Sequence, residues 1–234
     1  MQNSEREIPE FDQFAATYSA LLDDPMRNRF ARDPLHFHRR KWLQLQSIFK
    51  RAGIAPGKLR WLDVGCGQGE LLSLAGGSFA SAQGCDPSAG MLVPNASFQT
   101  RVQTSLVELP FEDASVDFVT AVCVYHHVHG EARTLLTQEI KRVLSPGGIC
   151  CIIEHNPRNP VTRAIVKRCP VDVDAELLTA SQTRKIFAMS GFQPRSVDYF
   201  LYLPETLFKA FGSLEFPLSK LPLGGQYAFL AQKP

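Results

Sequence analysis

The chain has 234 residues, 44% hydrophobic and 21% charged, enough to bury a full core and too apolar for a disordered chain. No apolar run approaches the ~18 residues of a membrane span, and the polar opening MQNSEREIPEF does not read as a signal peptide, so a cytoplasmic chain is expected. Net charge is +2, but residues 27–60 hold ten Lys or Arg against one acid, whereas 61–140 hold two Arg and nine acids.

Taken in chain order, residues 9–52 read as helical, broken near Asp23-Asp24-Pro25 and again at Asp33-Pro34. The piece from Pro34 to Arg51 has Asp as N-cap, Pro at the first helical position and Gly53 as its stop. Leu59–Val64 is a short strand ending in glycines, followed by a helix over Glu70–Ala75 and a second strand over Ala80–Cys85 that closes on Asp86-Pro87. A short helix at Ser88–Leu92, a strand at Phe98–Val102 and the apolar run Asp117–Val124 come next, the last as expected of a strand buried on both faces. Residues 131–144 carry a helical apolar stripe, Ser145-Pro146-Gly147-Gly148 ends it, and Ile149–Glu154 is a fifth strand. Ala175–Met189 reads as a helix punctuated by Gly191, and Gln193–Leu203 and Gln226–Gln232 as a final antiparallel pair.

Strands alternating with helices call for a parallel sheet covered on both faces. The expected class is α/β: one doubly wound, Rossmann-like domain over residues 1–234, with a seven-stranded, mostly parallel sheet and an antiparallel last strand. Residues 204–225 are too many for a tight turn and read as a helical insertion between the last two strands. Its Leu207, Phe208, Phe211, Phe216 and Leu218 form either an apolar wall for a ligand or a cover for the sheet edge. The six cysteines include no C-x-x-C pair, which suits buried thiols in a reduced chain, and Asn95-Ala96-Ser97 is then an incidental sequon.

The segment Trp61-Leu62-Asp63-Val64-Gly65-Cys66-Gly67-Gln68-Gly69 carries the most chemical information. Glycines at a strand end let a ligand approach the backbone, and the helix start beyond offers free N–H groups. Asp63, just ahead of the turn, would repel a pyrophosphate and attract an ammonium. The glycine spacing also departs from the dinucleotide fingerprint. Asp86, ending the second strand, can accept both hydroxyls of a ribose. A phosphate-free nucleoside with an amino-acid end, such as S-adenosylmethionine, satisfies these demands.

LDVGCGQGELL, GCDPSAGML, VELPFEDASVDFVTAVCVYHHV and EIKRVLSPGGICCIIEHN resemble the successive motifs of class I S-adenosylmethionine-dependent methyltransferases, specifically the type 11 small-molecule group. The opening FDQFAATY resembles the helix that closes over the cofactor in that group, so residues 1–52 are expected to form a helical lid. The resemblance implies that Gly65 and Gly67 border the methionine part, Asp63 stands near its amino group, Asp86 holds the ribose and Met91 packs near the adenine. The cofactor set is completed by Tyr18, Cys66, Gly69, Pro87, Leu106, Val107, Cys123 and Tyr125. Ser105 stands where the group often has an acid facing the adenine amino group, which shifts that recognition to the backbone of Leu106 and Val107. Tyr18 and Tyr125 could cover the sulfonium or serve as core tyrosines.

Strand ends in open α/β sheets rim ligand sites, which puts Cys123-Val124-Tyr125-His126-His127 at the acceptor. The chain lacks the D/N-P-P-Y/F/W element of amide and exocyclic amine methylation, and no Pro-Cys element for cytosine C5 follows the strand. An alcohol, phenol or acid acceptor gains from a base near neutral pKa, and His126, His127 and His155 are the candidates, each with a structural role as the alternative. Quinone O-methyltransferases carry E-x-x-E-H at this place. Thiol and imidazoles could hold a soft metal here, but the spacing is no standard zinc signature and no metal is expected. Asn156–Arg163, Lys167-Arg168 and the basic helix around His36, His38, Arg39 and Arg40 suggest an acceptor carrying carboxylate or phosphate, or else ordinary surface charge. The expected activity is methylation of a small organic molecule at oxygen. Its rivals are an RNA methyltransferase using the basic region, which the near-neutral total charge disfavours, and a catalytically silent cofactor-binding module.

Overall fold

Trp61, Leu62 and Val64 leave β1 (Arg60–Val64) apolar on both faces, and all three are buried at the centre of the sheet. The computed structural model describes residues 10–33, 35–93 and 98–234. Around β1 stand β2 (Ser81–Asp86), β3 (Gln99–Val102), β4 (Val116–Val122), β5 (Leu144–His155), β6 (Gln193–Phe200) and β7 (Gln226–Gln232), in the order β3-β2-β1-β4-β5-β7-β6. The first five pair in parallel, and β7 runs antiparallel to both β5 and β6. The doubly wound sheet is thus as the sequence implies. Strand order reverses between β1 and β4, so their C-terminal ends diverge into a crevice.

Helices α1 (Tyr18–Leu21), α2 (Pro25–Phe30) and α3 (His36–Ala52) precede the sheet. Asp24 caps α2 by accepting from the N–H groups of Met26 and Arg27, and Gly53 ends α3 at φ +67°. Pro34, the expected first helical residue, and Asn95-Ala96-Ser97 lie outside the described residues, as do residues 1–9. Leu45, Ile48 and Phe49 of α3 pack with Trp61, Phe79 and Phe118 on one face of the sheet. The connecting helices are α4 (Glu70–Ala75), α5 (Ala89–Leu92), α6 (Ala132–Val143), α7 (Pro160–Arg168) and α8 (Ala180–Met189). On the other face, α6 and α8 contribute Leu136, Ile140 and Phe187 to a second core with Val119, Ile152 and Phe229.

Among the boundaries that differ from expectation, three have identifiable causes. β4 stops at Val122 because Cys123 turns into the left-handed region at φ +58°, sparsely occupied by a residue with a side chain. β5 begins at Leu144, with a register shift between the Val116–Leu144 and Phe118–Ile149 pairs absorbing the Pro-Gly-Gly turn. α8 begins at Ala180, where Thr179 and Gln182 form a reciprocal capping box; the residues before it are instead tied to the fourth strand's exit loop, Glu176 N–H donating to His126 O (2.8 Å).

Between β6 and β7 lie α9 (Glu205–Phe211) and α10 (Glu215–Leu218). Of the two expectations for this segment, it is the edge cover that the contacts match: Tyr199 N–H of edge strand β6 donates to Ser219 O, and Lys220 Nζ to Val197 O. Its aromatic residues do not wall the crevice. Phe208 lies under the Arg40 guanidinium, 3.4 Å away, and Phe211 and Phe216 are more than half exposed. Glu215 and Arg40 form a buried ion pair joining α10 to α3. In the basic run, Arg39 pairs with Asp33, Arg51 with Asp198 and Arg60 with Asp117, while Arg29, Arg32, Lys50 and Lys58 are exposed to solvent. All six cysteines carry free thiols, and no helix among the described residues is long and apolar enough to cross a membrane.

Candidate active site

A cavity of about 520 Å³ opens where the strand order reverses. Its floor is the turn after β1. Gly65, Gly67 and Gly69 all have positive φ (+67°, +53° and +75°), so the turn coils tightly and presents backbone to the cavity. A Cβ at Gly65 would fall 2.5 Å from Val124 Cγ2, so the exits of β1 and β4 approach as closely as they do only because that residue is glycine. Gly65, Cys66 and Gly67 line the space; Gly69 is set back from it, serving as the left-handed N-cap of α4.

Asp63 is buried and faces the same cavity. Trp61 Nε1 donates to Thr120 Oγ1 (2.8 Å), and Thr120 Oγ1 donates to Asp63 Oδ1 (2.5 Å). Among the described residues Thr120 is the only hydrogen-bond partner of that carboxylate. Burial pushes its pKa up to about 7, against the pull of the Thr120 hydroxyl and the Lys41 charge. Asp86, at the end of neighbouring β2, also lines the cavity, Oδ2 accepting from Gly67 N–H (2.9 Å) and Oδ1 from Ser88 N–H (2.9 Å). Each oxygen keeps a lone pair for a further donor, and burial, the dominant influence, raises this carboxyl as well.

Pro87, Met91 and Leu106 continue the wall beyond Asp86. Val107 does not: it packs against the core, and Ser105 Oγ accepts its N–H (3.2 Å). The hydroxyl that replaces an acid at Ser105 is therefore used within the loop. Buried Gln103, which no sequence pattern marked, lines the cavity there instead. Tyr18 lines the cavity, but Tyr125 does not. It is fully buried in the core with its hydroxyl on Thr137 (2.8 Å), so of the two only Tyr18 faces the cavity.

The N-terminal segment is held over this half of the cavity. Asp12 Oδ1 accepts from Ser88 Oγ (2.5 Å) and Gly90 N–H (3.0 Å), Gln68 Nε2 donates to Ala15 O (3.2 Å), and Phe11 reaches the cavity edge-on to His127.

The other half is built from the loops after β4 and β5. Glu154, buried at the end of β5, accepts from Val124 N–H (2.9 Å) and Tyr125 N–H (2.7 Å) through Oε1 and pairs with His126 Nδ1 (2.5 Å) through Oε2. Asp172, in the turn after α7, brings Oδ1 to 3.4 Å from both His126 Nε2 and His127 Nε2. Burial disfavours a charged His126, but the Glu154 and Asp172 carboxylates outweigh it and raise its pKa well above the ordinary value. The histidines expected at the acceptor are thus together, and His155 lies beside them with Nε2 3.7 Å from Cys123 Sγ. The Cys123 thiol, resisted by burial, is brought down to about 7 by the charges of Lys41 and His155.

Sequence reasoning missed Glu154, Asp172, Lys41 and Asp12 as site residues. Only Lys41 had a local signal: with Phe37, Leu45 and Ile48 it falls on the inward stripe of α3, and it is buried against the cavity.

Residues 62–152 match the family described as a methyltransferase domain. The matched segment runs from β1 into β5 and so takes in the glycine turn, Asp63 and Asp86. A demethylmenaquinone methyltransferase from Staphylococcus aureus (strain MRSA252) is 36% identical over 124 residues, which cover 49% of this chain and 50% of that protein. The chain thus spans about half the length of the curated relatives it matches. The fold is shared with a S-adenosylmethionine-dependent methyltransferase from Thermotoga maritima (TM-score 0.66, 17% identity, 96% of this chain and 98% of that one). It is also shared with geranyl diphosphate C-methyltransferase from Streptomyces coelicolor A3(2) (TM-score 0.58, 18% identity, 92% and 87%). The cavity offers the chemistry that S-adenosylmethionine would need: a buried carboxylate with one internal donor, a second with spare lone pairs, and exposed backbone beside them.

Proposed function

We propose that this methyltransferase methylates a small, largely apolar organic acceptor at oxygen, in a reducing compartment such as the cytoplasm. The observation that carries the reading is the division of one cavity into two chemically distinct halves. Asp63, Asp86 and the glycine turn line one part of it and the imidazole–carboxylate cluster another. When bound, S-adenosylmethionine supplies a methyl group on a sulfonium leaving group. Asp63 would hold its ammonium, Asp86 its ribose hydroxyls, Met91 and Leu106 its adenine, and Tyr18 the region of the sulfonium.

The chain's own work is then positioning for an in-line displacement, exclusion of water and handling of the acceptor's proton. Phe11, Leu22, Phe30, Phe37, Val161 and Ile165 offer apolar wall for a ring or chain, while Arg27 and Lys41 offer positive charge to an anionic group on it. His126, His127 and Asp172 stand where the acceptor's hydroxyl proton would leave. The relatives named for demethylmenaquinone and geranyl diphosphate support a carbon-rich acceptor. A second reading, attack by ring carbon, is favoured by the cluster itself, because deprotonating a phenol activates the neighbouring carbon too.

A radiolabelled-methyl screen against fractionated metabolites, with Asp86→Ala as the blank, tests this. Transfer by the wild type, lost with at least a tenfold fall in S-adenosylhomocysteine affinity in the variant, is expected. An O–CH3 or C–CH3 product signal by NMR decides the atom. Tight product binding without transfer to any fraction would leave a silent binding module, and transfer to RNA alone would move the acceptor class.

A further inference from the structure

We propose that His126, His127 and Asp172 form a divalent-cation site of zinc's class, with an open coordination position facing the acceptor half of the cavity. The three ligand atoms lie within 4.8 Å of one another. Asp172 Oδ1 stands 3.4 Å from each imidazole Nε2, longer than a good N–H···O hydrogen bond. It is, however, the ligand–ligand edge expected of a tetrahedral ion, since bonds of about 2.0–2.1 Å at the tetrahedral angle separate ligands by roughly 3.3 Å. The set is also right chemically. Two imidazoles and one carboxylate make a three-ligand site that leaves a fourth position for a small molecule.

The surroundings are those of a prepared site. His126 Nδ1 points at the buried Glu154 carboxylate, which leaves Nε2 as the ligating nitrogen, the carboxylate–histidine arrangement that orients metal ligands. Both loops are pinned. His127 N–H donates to Val124 O, Glu176 N–H to His126 O and Asp172 N–H to Cys169 O. Glu154 and Asp172 bring two negative charges into a pocket where His126 is 1% exposed, and a dication would balance them. The ligands come from the β4 exit and the turn after α7, so no local spacing announces them.

The proposal rests on the reading of this cluster as the acceptor end, but its test does not need turnover. Full-length protein stripped with a chelator is titrated with Zn2+ by calorimetry and with Co2+ by visible absorption. One ion per chain and a tetrahedral cobalt spectrum are expected. Asp172→Asn and His127→Gln should each weaken Zn2+ binding at least tenfold, and Glu154→Gln by about 10–100-fold. Cys169→Ser should leave it unchanged, and circular dichroism establishes that each variant is folded. Absence of saturable uptake would overturn the site. So would uptake indifferent to Asp172→Asn and His127→Gln, or uptake lost only with Cys169→Ser. Uptake of one ion with no methyl transfer to any acceptor would leave the metal site standing and remove the proposed activity; transfer by protein that takes up no ion would do the reverse.

Discussion

Gly65→Ala is the most demanding single test of how the cavity floor is built. Two costs add at that position. A side chain held at φ +67° costs about 1–2 kcal/mol. The new Cβ would also sit 2.5 Å from Val124 Cγ2, on a short branched side chain that cannot swing away, and such overpacking costs about 1–3 kcal/mol. The sum, about 3 kcal/mol, corresponds to a fall in Tm of about 6–12 °C for a chain of this size. The two terms can be separated. Val124→Ala removes both Cγ atoms and leaves only Val124 Cβ, 3.6 Å away, in ordinary contact. In a double-variant cycle followed by chemical denaturation, Gly65→Ala in the Val124→Ala background should lose its overpacking part and keep its backbone part. The coupling expected is about 1–3 kcal/mol. If the two changes were additive within about 0.5 kcal/mol, the close approach of the two strand exits would not be what requires glycine here.

Asp63 sets a pH dependence with a definite sign. Its folded pKa, raised by burial to about 7, exceeds the unfolded value near 3.9, so its contribution to the stability of the ligand-free protein is present below about pH 4 and lost as pH rises to about 7. Thermal melts between pH 5 and 8 should show this slope in the wild type and a flatter one in Asp63→Asn. Affinity for S-adenosylhomocysteine, whose ammonium needs the ionised carboxylate, should run the other way. It should weaken by up to about tenfold per unit below pH 7 in the wild type and stay flat in the variant, measured by calorimetry. Asp12→Ala removes the acceptor for Ser88 Oγ and Gly90 N–H that holds the N-terminal segment in place. Product dissociation in stopped flow should accelerate roughly 5–30-fold, in keeping with two lost hydrogen bonds; an unchanged rate would mean the segment does not guard the cofactor half.

The sheet was legible because its signals are local: apolar runs such as DFVTAVCV for central strands, and glycines where turns need left-handed backbone. The positions of Asp63 and Asp86 at the ends of β1 and β2 followed from the same reading. Boundaries slipped where distant contacts decided them, as at residues 175–179, drawn out of the following helix by Glu176 N–H on His126 O. Tyr125 and Val107 were misplaced because a motif names a neighbourhood without the direction of each side chain. The same limit hid the aromatic residues of 204–225, which turn to α3 and the sheet edge.

By itself, then, the sequence determined the doubly wound sheet, the glycine turn and the two carboxylates beside it, since each depends on residues within a few positions of one another. Only the tertiary structure decided the imidazole–carboxylate cluster, where Glu154 from the end of β5 and Asp172 from the turn after α7 meet His126 and His127. Strand ends gather side chains that the chain holds far apart, and which of them point inward depends on packing that no local pattern records.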